Sequence, residues 1–189
     1  MRSFKQLSVF IVALLALCAI GATNASASTF TASATGSITG KALETQKFKT
    51  NGGTVECPEV HISGTIPATQ TTDSHETWEY TSCTAFGFPA DASKTTYTFT
   101  SDGSTHYKTT LSFTVTGGIF GECTVTVPLQ TAKSVTYTNN SGKIKITPNI
   151  TGIKYTSSGG ICGSSGENGT YTGASEIERV GGGTISWDA

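Results

Sequence analysis

The residues of this chain that could do chemistry are few, and most stand alone. Asp73-Ser-His75-Glu76 puts two carboxylates and an imidazole within four positions. A metal site needs three or four ligands converging from separate parts of a fold, and this segment offers only local crowding, so it reads as a solvated polar edge. Glu76 and Glu79 could be imagined as the paired carboxylates of a glycoside hydrolase. Three positions apart on a strand, they point to opposite faces, and the pairing fails unless the strand bulges. Ser164 and Ser165 sit among glycines with no neighbouring base to activate a hydroxyl. His61 and His106 stand in or beside predicted strands without partners. No G-x-S-x-G, H-E-x-x-H or phosphate-loop pattern occurs. No catalytic, cofactor or metal residue is assigned, and the balance falls against an enzyme.

Cysteine is the exception. Once the leader discussed below is set aside, Cys57, Cys83, Cys123 and Cys162 remain, an even number in a chain that reads as exported. Two disulfides follow, and no pair has the C-x₂₋₄-C spacing of a structural zinc site. Four cysteines allow three connectivities. Cys57–Cys83 with Cys123–Cys162 is favoured, because neighbouring strands of an antiparallel sheet tend to be neighbours in the chain.

Residues 1–27 carry the marks of a secretory signal peptide. Arg2 and Lys5 precede an apolar run from Leu7 to Ile20, and Ala25-Ser-Ala27 supplies small residues before Ser28. The run is too short to span the ~30 Å of bilayer hydrocarbon. Leu17 before Cys18 stands where a lipid-attachment signal wants a small residue. The expected product is secreted and carries no membrane anchor after cleavage. Residues 28–189 then form one domain. Without Arg2 and Lys5, ten basic residues face thirteen acidic ones, a net charge of −3 that argues against a nucleic-acid partner.

The elements that must position these residues read as strands. Leu111, Phe113 and Val115 share one face, as do Val125 and Val127, Val135 and Tyr137, and Ile144 and Ile146; each set alternates with Thr, Ser or Lys. Such period-2 patterning predicts antiparallel strands wet on one side, with these nine residues in one continuous buried layer. Thr147-Pro-Asn149 is expected to end one strand and Ile153 to begin the next. Val55 and Cys57 have one parity, Val60 and Ile62 the other, with Pro58 between them as a bulge or edge position. Phe30 to Ile38 reads as one edge strand, and Glu44 to Lys47 as strand or a short helical turn. Asn139-Asn-Ser-Gly142, Asn51-Gly-Gly53 and Gly117-Gly118 are turn chemistry. Ten to twelve short strands without an amphipathic helix imply an all-β fold, an antiparallel β-sandwich with a β-barrel as the alternative. Charged residues are only 13% of the chain, well below the usual ~25%, so threonine faces such as TYTFT, TVTVP and VTYTN must carry much of the wet surface. Thr156 to Thr170 holds five glycines around Cys162 and reads as a long loop that a Cys123–Cys162 bond would tether. Asn139, Asn149 and Asn168 head glycosylation-acceptor triplets, which are hard to avoid in a threonine-rich chain.

The blocks Cys123-Thr-Val-Thr-Val-Pro128, Val135-Thr-Tyr-Thr-Asn139, Thr151-Gly-Ile-Lys-Tyr-Thr156 and Asn168-Gly-Thr-Tyr-Thr-Gly173 resemble those of small exported β-proteins of actinobacteria. Gly53-Thr-Val-Glu-Cys57 and Ser82-Cys-Thr-Ala-Phe-Gly87 fit the same group. That resemblance implies export and an all-β fold, mildly favours sequential cysteine pairing, and brings no assigned activity. The expected role is a non-enzymatic extracellular binding or structural domain, with cell-wall glycan or another extracellular protein as partner. A glycan-active hydrolase, or an enzyme inhibitor presenting the loop 156–170, are the alternatives.

Overall fold

The computed structural model describes residues 27–116, 121–160 and 162–189. The leader before Ala27 and the Gly117-Gly118 turn lie outside them. Seventeen strands and no helix make up the described chain. In order they are β1 (Thr29–Ala32), β2 (Gly36–Lys49), β3 (Thr54–Cys57), β4 (Glu59–Ile66), β5 (Gln70–Thr71), β6 (Asp73–Thr81), β7 (Thr84–Ala85), β8 (Phe88–Ala92) and β9 (Thr95–Thr100). There follow β10 (Thr105–Tyr107), β11 (Leu111–Thr116), β12 (Glu122–Val127), β13 (Thr131–Ala132), β14 (Val135–Asn140), β15 (Lys143–Ser158), β16 (Gly166–Arg179) and β17 (Ile185–Asp188).

Three long strands, β2, β16 and β15, lie side by side as a spine. Each outer edge of this spine is shared by two shorter strands. Along β2, β3 pairs residues 46–49 and β4 pairs residues 36–41. Along β15, β14 pairs residues 143–148 and β12 pairs residues 156–158. From the first half of this arrangement the sheet runs β2-β16-β15-β12-β11-β8-β7-β3 and returns to β2, closing an eight-stranded antiparallel barrel. From the other half, β4-β6-β9-β10-β13 and β14 extend as an open arc. A separate three-stranded sheet, β17-β1-β5, roofs that arc. The expected sandwich is therefore replaced by a barrel with an appended lobe. Period-2 alternation is common to both architectures; the pairing of β3 back onto β2 is what closes the ring.

Within the barrel wall the alternation is strict. Phe113 stands opposite Val125 inside while Thr114 stands opposite Thr124 outside, so each pairing matches apolar with apolar and hydroxyl with hydroxyl. All nine residues expected in the buried layer are no more than 6% exposed and belong to one core cluster. Leu111, Phe113, Val115, Val125 and Val127 fill the barrel; Val135, Tyr137, Ile144 and Ile146 belong to strands of the lobe half.

Several expected breaks are not breaks. β15 runs straight through Thr147-Pro-Asn149. Pro148 is tolerated because the ladder to β16 passes from Ile146↔Ser175 to Asn149↔Thr172 without using it. Glu44 to Lys47 is strand throughout. Phe30 to Ile38 is two strands separated by a bend at residues 33–35. Pro58 stands between β3 and β4, where the chain passes from barrel to lobe along the same edge of β2, which accounts for the change of parity. The predicted loop 156–170 shrinks to residues 159–165, since its flanks are paired strand. At the Asn139–Gly142 turn, Ser141 (φ 50°) and Gly142 (φ 82°) supply the left-handed pair a tight hairpin needs.

Candidate functional site

The outer face of the lobe carries the most regular set of polar side chains. Strand register puts Thr39, Ser63, Thr77 and Thr96 in one row across β2, β4, β6 and β9. A second row, two residues along, runs Ser37, Thr65, His75, Thr98, His106 and Thr131 as far as β13. Neighbours within the rows bond to one another: His75 Nδ1 lies 3.1 Å from Thr98 Oγ1 and His106 Nδ1 lies 2.9 Å from Thr131 Oγ1. Neither row contains a lysine, arginine or carboxylate. Charge lies immediately beside them: the next row on the same face holds Lys41, His61 and Glu79, with Glu79 bonded to Lys94 at 2.9 Å, and Asp73 flanks His75, while Thr98 is itself buried. The other ion pairs are Lys47–Glu56, Lys143 with Glu176 and Glu178, Lys145–Glu44 and Lys154–Glu167.

The segment Asp73–Glu76 is split by its own alternation. His75 is exposed in the hydroxyl row, whereas Glu76 points inward and is 1% exposed. The solvated edge expected there is corrected for Glu76, because β6 is paired on both sides and one of its faces lines the core. Glu79 lies outside and bonds Lys94 at 2.9 Å, so Glu76 and Glu79 do occupy opposite faces and form no carboxylate pair. Among the described residues no cluster of three metal-ligating side chains occurs. Ser165 Oγ accepts from Ser157 N at 2.9 Å, a structural contact.

Two carboxylates do share a surface cleft. Asp73 and Asp102, with His106, Thr72 and Ser101, line an open depression of about 470 Å³. Asp102 is committed to the β9–β10 turn. It accepts from Thr100 Oγ1, from Ser104 N at 2.9 Å and from Ser104 Oγ at 3.1 Å. The Thr100 hydroxyl, then the Ser104 amide, hold its carboxyl below the usual range. Such a carboxyl cannot serve as the proton donor that glycoside cleavage requires.

Both cysteine pairs are bonded as expected, Cys57–Cys83 and Cys123–Cys162, and both belong to the barrel end. Cys162 is fully buried and Gly163 lies against that end rather than being presented. A Cβ on Gly163 would come within 2.6 Å of Gly52 Cα, so the two loops meet backbone to backbone, where glycine alone fits. Asn168 donates through Nδ2 to Asn51 Oδ1 at 2.6 Å.

Several polar residues escaped the sequence reading altogether. Tyr171 OH donates to Gln46 Oε1 at 2.6 Å, lies 3.3 Å from Tyr80 OH, and Tyr80 OH lies 2.9 Å from Tyr97 OH. Gln46 Nε2 donates in turn to the Glu44 and Ala174 carbonyls at 2.8 and 2.9 Å. This buried chain crosses the waist between barrel and lobe, and burial raises all three phenols far above their ordinary value. The alternation places each tyrosine inside, but only the tertiary pairing brings their hydroxyls together. Two amide side chains act as single-residue strands. Gln130 donates to Lys154 O (2.9 Å) and accepts from Lys154 N (3.0 Å); Asn139 does the same to Trp187 O (2.9 Å) and N (2.7 Å). No protein-family model, curated protein or solved structure matches this chain.

Proposed function

We propose that this chain is a secreted, non-enzymatic binding domain that engages an uncharged polysaccharide, such as a cell-wall glycan, through the hydroxyl face of its lobe. The carrying observation is the pair of hydroxyl and imidazole rows spanning up to six strands, bordered by the Lys94–Glu79 ion pair. Hydroxyls both donate and accept, so they can replace the hydrogen bonds that a sugar makes to water, and rows whose own side chains carry no fixed charge demand no counter-charge from the ligand. Two disulfides suit an oxidising compartment. β1 begins at Thr29, one residue beyond Ser28, which is where an exported chain cut after Ala27 would start. The likeness to small exported actinobacterial β-proteins points the same way.

Co-sedimentation with purified cell-wall polysaccharide tests the binding. Thr65→Ala with Thr77→Ala and Thr96→Ala should lower affinity at least tenfold, while Thr136→Ala with Thr138→Ala, on a different strand face, should leave it unchanged. Equal retention of both variants, or binding to an extracellular protein but to no glycan, would overturn the assignment. Intact mass of the protein from culture medium should correspond to a chain starting at Ser28; an acylated Cys18 or a retained Met1 would reject export by this route.

A further inference from the structure

Glu76 is the only carboxylate buried among the described residues. Its Oε1 accepts from Ser74 Oγ and its Oε2 from Trp78 Nε1, both at 2.8 Å. The groups around it offer no cation. In register with it stand Gly64 on β4 and Tyr97 on β9, with Tyr107 beyond on β10. Tyr137 on β14 is close enough that the Glu76 charge adds to the burial that opposes its ionisation, with Asp102 as a further, smaller influence. Phenols face the carboxyl, and the nearest histidines of the sheet, His75 and His106, are bonded to threonines on its opposite face. Lys133 interacts with Asp102 instead. Burial, only partly offset by the Trp78 and Ser74 donors, raises the Glu76 carboxyl to about 7. An ionised carboxylate in such a place demands either a counter-charge or water.

The roof over this lobe is made from the first and last described strands, β1 and β17, with the two-residue β5. Phe30 of β1 packs edge-on against Tyr137 at 5.0 Å, and Tyr137 OH donates to Thr100 O at 2.9 Å. The roof is tied down by individual bonds: Ala32 N to Thr69 O (2.8 Å), Ile185 N to Gly142 O (2.9 Å), Trp187 Nε1 to Ser101 O (3.0 Å), Ser101 Oγ to Ser28 O, the Asn139 amide on Trp187, and, at the bend after β1, the Arg179 guanidinium on Ser33 Oγ (3.0 Å) and Thr35 O (3.1 Å). Neither disulfide reaches it. Short strands held by individual bonds rather than by a continuous ladder open at the low end of a protein's stability range.

We propose that β1, β5 and β17 form a proton-gated lid, closed while Glu76 carries a proton and loosened when that carboxyl ionises. The carboxylate gains hydration only in the open state, so raising the pH shifts the population toward it.

Amide hydrogen exchange on the full mature chain between pH 5 and pH 9, corrected for the intrinsic rate, tests this. Protection of the Ala32, Ile185 and Trp187 amides should fall at least tenfold between pH 5 and pH 8, while Val125 in the barrel is unaffected. Glu76→Gln, close in shape and unable to ionise, should keep the roof protected at pH 8. Carboxyl carbon shifts of the unaltered protein supply a readout independent of any variant: Glu76 should titrate near 7, and the fall in roof protection should level off as that titration completes. Flat protection, an equal fall in the barrel, a Glu76→Gln protein that still opens, or a Glu76 carboxyl already ionised at pH 5 would each overturn the lid.

Discussion

The barrel end and the roofed end share β2, β15 and β16, yet they are closed in opposite ways. At the barrel end the hydrogen-bond ladder returns to its starting strand, and each disulfide ties a wall strand, β3 or β12, to a connecting segment. Its interior is filled by apolar side chains, with Phe48 stacked on Phe113 at 5.5 Å. At the roofed end the ladder stays open. A detached three-stranded sheet covers the gap, Asn139 substitutes for a missing strand, and the lobe buries a carboxyl with no counter-ion. Covalent and ladder closure hold without regard to pH, whereas closure over a buried acid depends on the proton. One end is built to persist and the other to respond.

The largest expected effect breaks the covalent side of this comparison. The disulfides span sequence separations of 26 and 39 residues, worth about 3.5 and 4 kcal/mol in the chain-entropy account. Replacing Cys123 and Cys162 with Ala should therefore lower stability to urea by about 4 kcal/mol. A loss below about 1 kcal/mol would show that the ladder alone closes the barrel.

Next comes the proton. The folded Glu76 value, about 7, lies above its ordinary 4.5, so between those pH values the native state binds more protons than the unfolded chain. The stabilising contribution is fully present below pH 4.5 and is lost as pH rises to 7, by about 3 kcal/mol. Chemical denaturation across that window should show the decline in the unaltered protein. Subtracting the Glu76→Gln curve removes the contributions of the remaining carboxylates, and a difference that does not vary with pH would place the responsive group elsewhere.

Side-chain truncation in the barrel wall sharpens the picture further. Val125→Ala should cost about 1–3 kcal/mol through lost burial and a partly unfilled cavity. Asn139→Ala removes two hydrogen bonds to the Trp187 backbone and should cost about 1 kcal/mol, with faster exchange confined to β17. Thr124→Ala, on the outer face beside Thr114, should cost under about 0.5 kcal/mol. Equal destabilisation by the Val125 and Thr124 variants would mean that the wall is buried on both faces.

Much of this was legible in the sequence, and for local reasons. Parity sorts Leu111, Phe113, Val115, Val125 and Val127 to the inside whatever the strands pair with. Both disulfides were legible because their partners lie on segments close in the chain. The opposite faces of Glu76 and Glu79 also followed from parity. The inward face of β6, by contrast, was misjudged at Glu76: a strand paired on both sides with a covered face buries even a carboxyl, and no local pattern announces that coverage. The continuity of β15 through Pro148 was hidden as well, since a proline stops a strand only where its missing N–H was needed.

The sequence by itself determined the all-β class and the alternation of most strands, and favoured the crosslinks, because backbone sterics and the two-residue side-chain period act within a few residues. It reads as ten to twelve short strands, where the described residues hold seventeen, three of them long. Only the tertiary structure decided that β3 returns to β2 and closes a ring, that Gln130 and Asn139 stand in for strands, and that Tyr80, Tyr97 and Tyr171 join Gln46 across the waist. These are contacts between residues up to 125 positions apart. They depend on how long strands curl and on which edge remains free, quantities to which every strand contributes and which no short window of sequence contains.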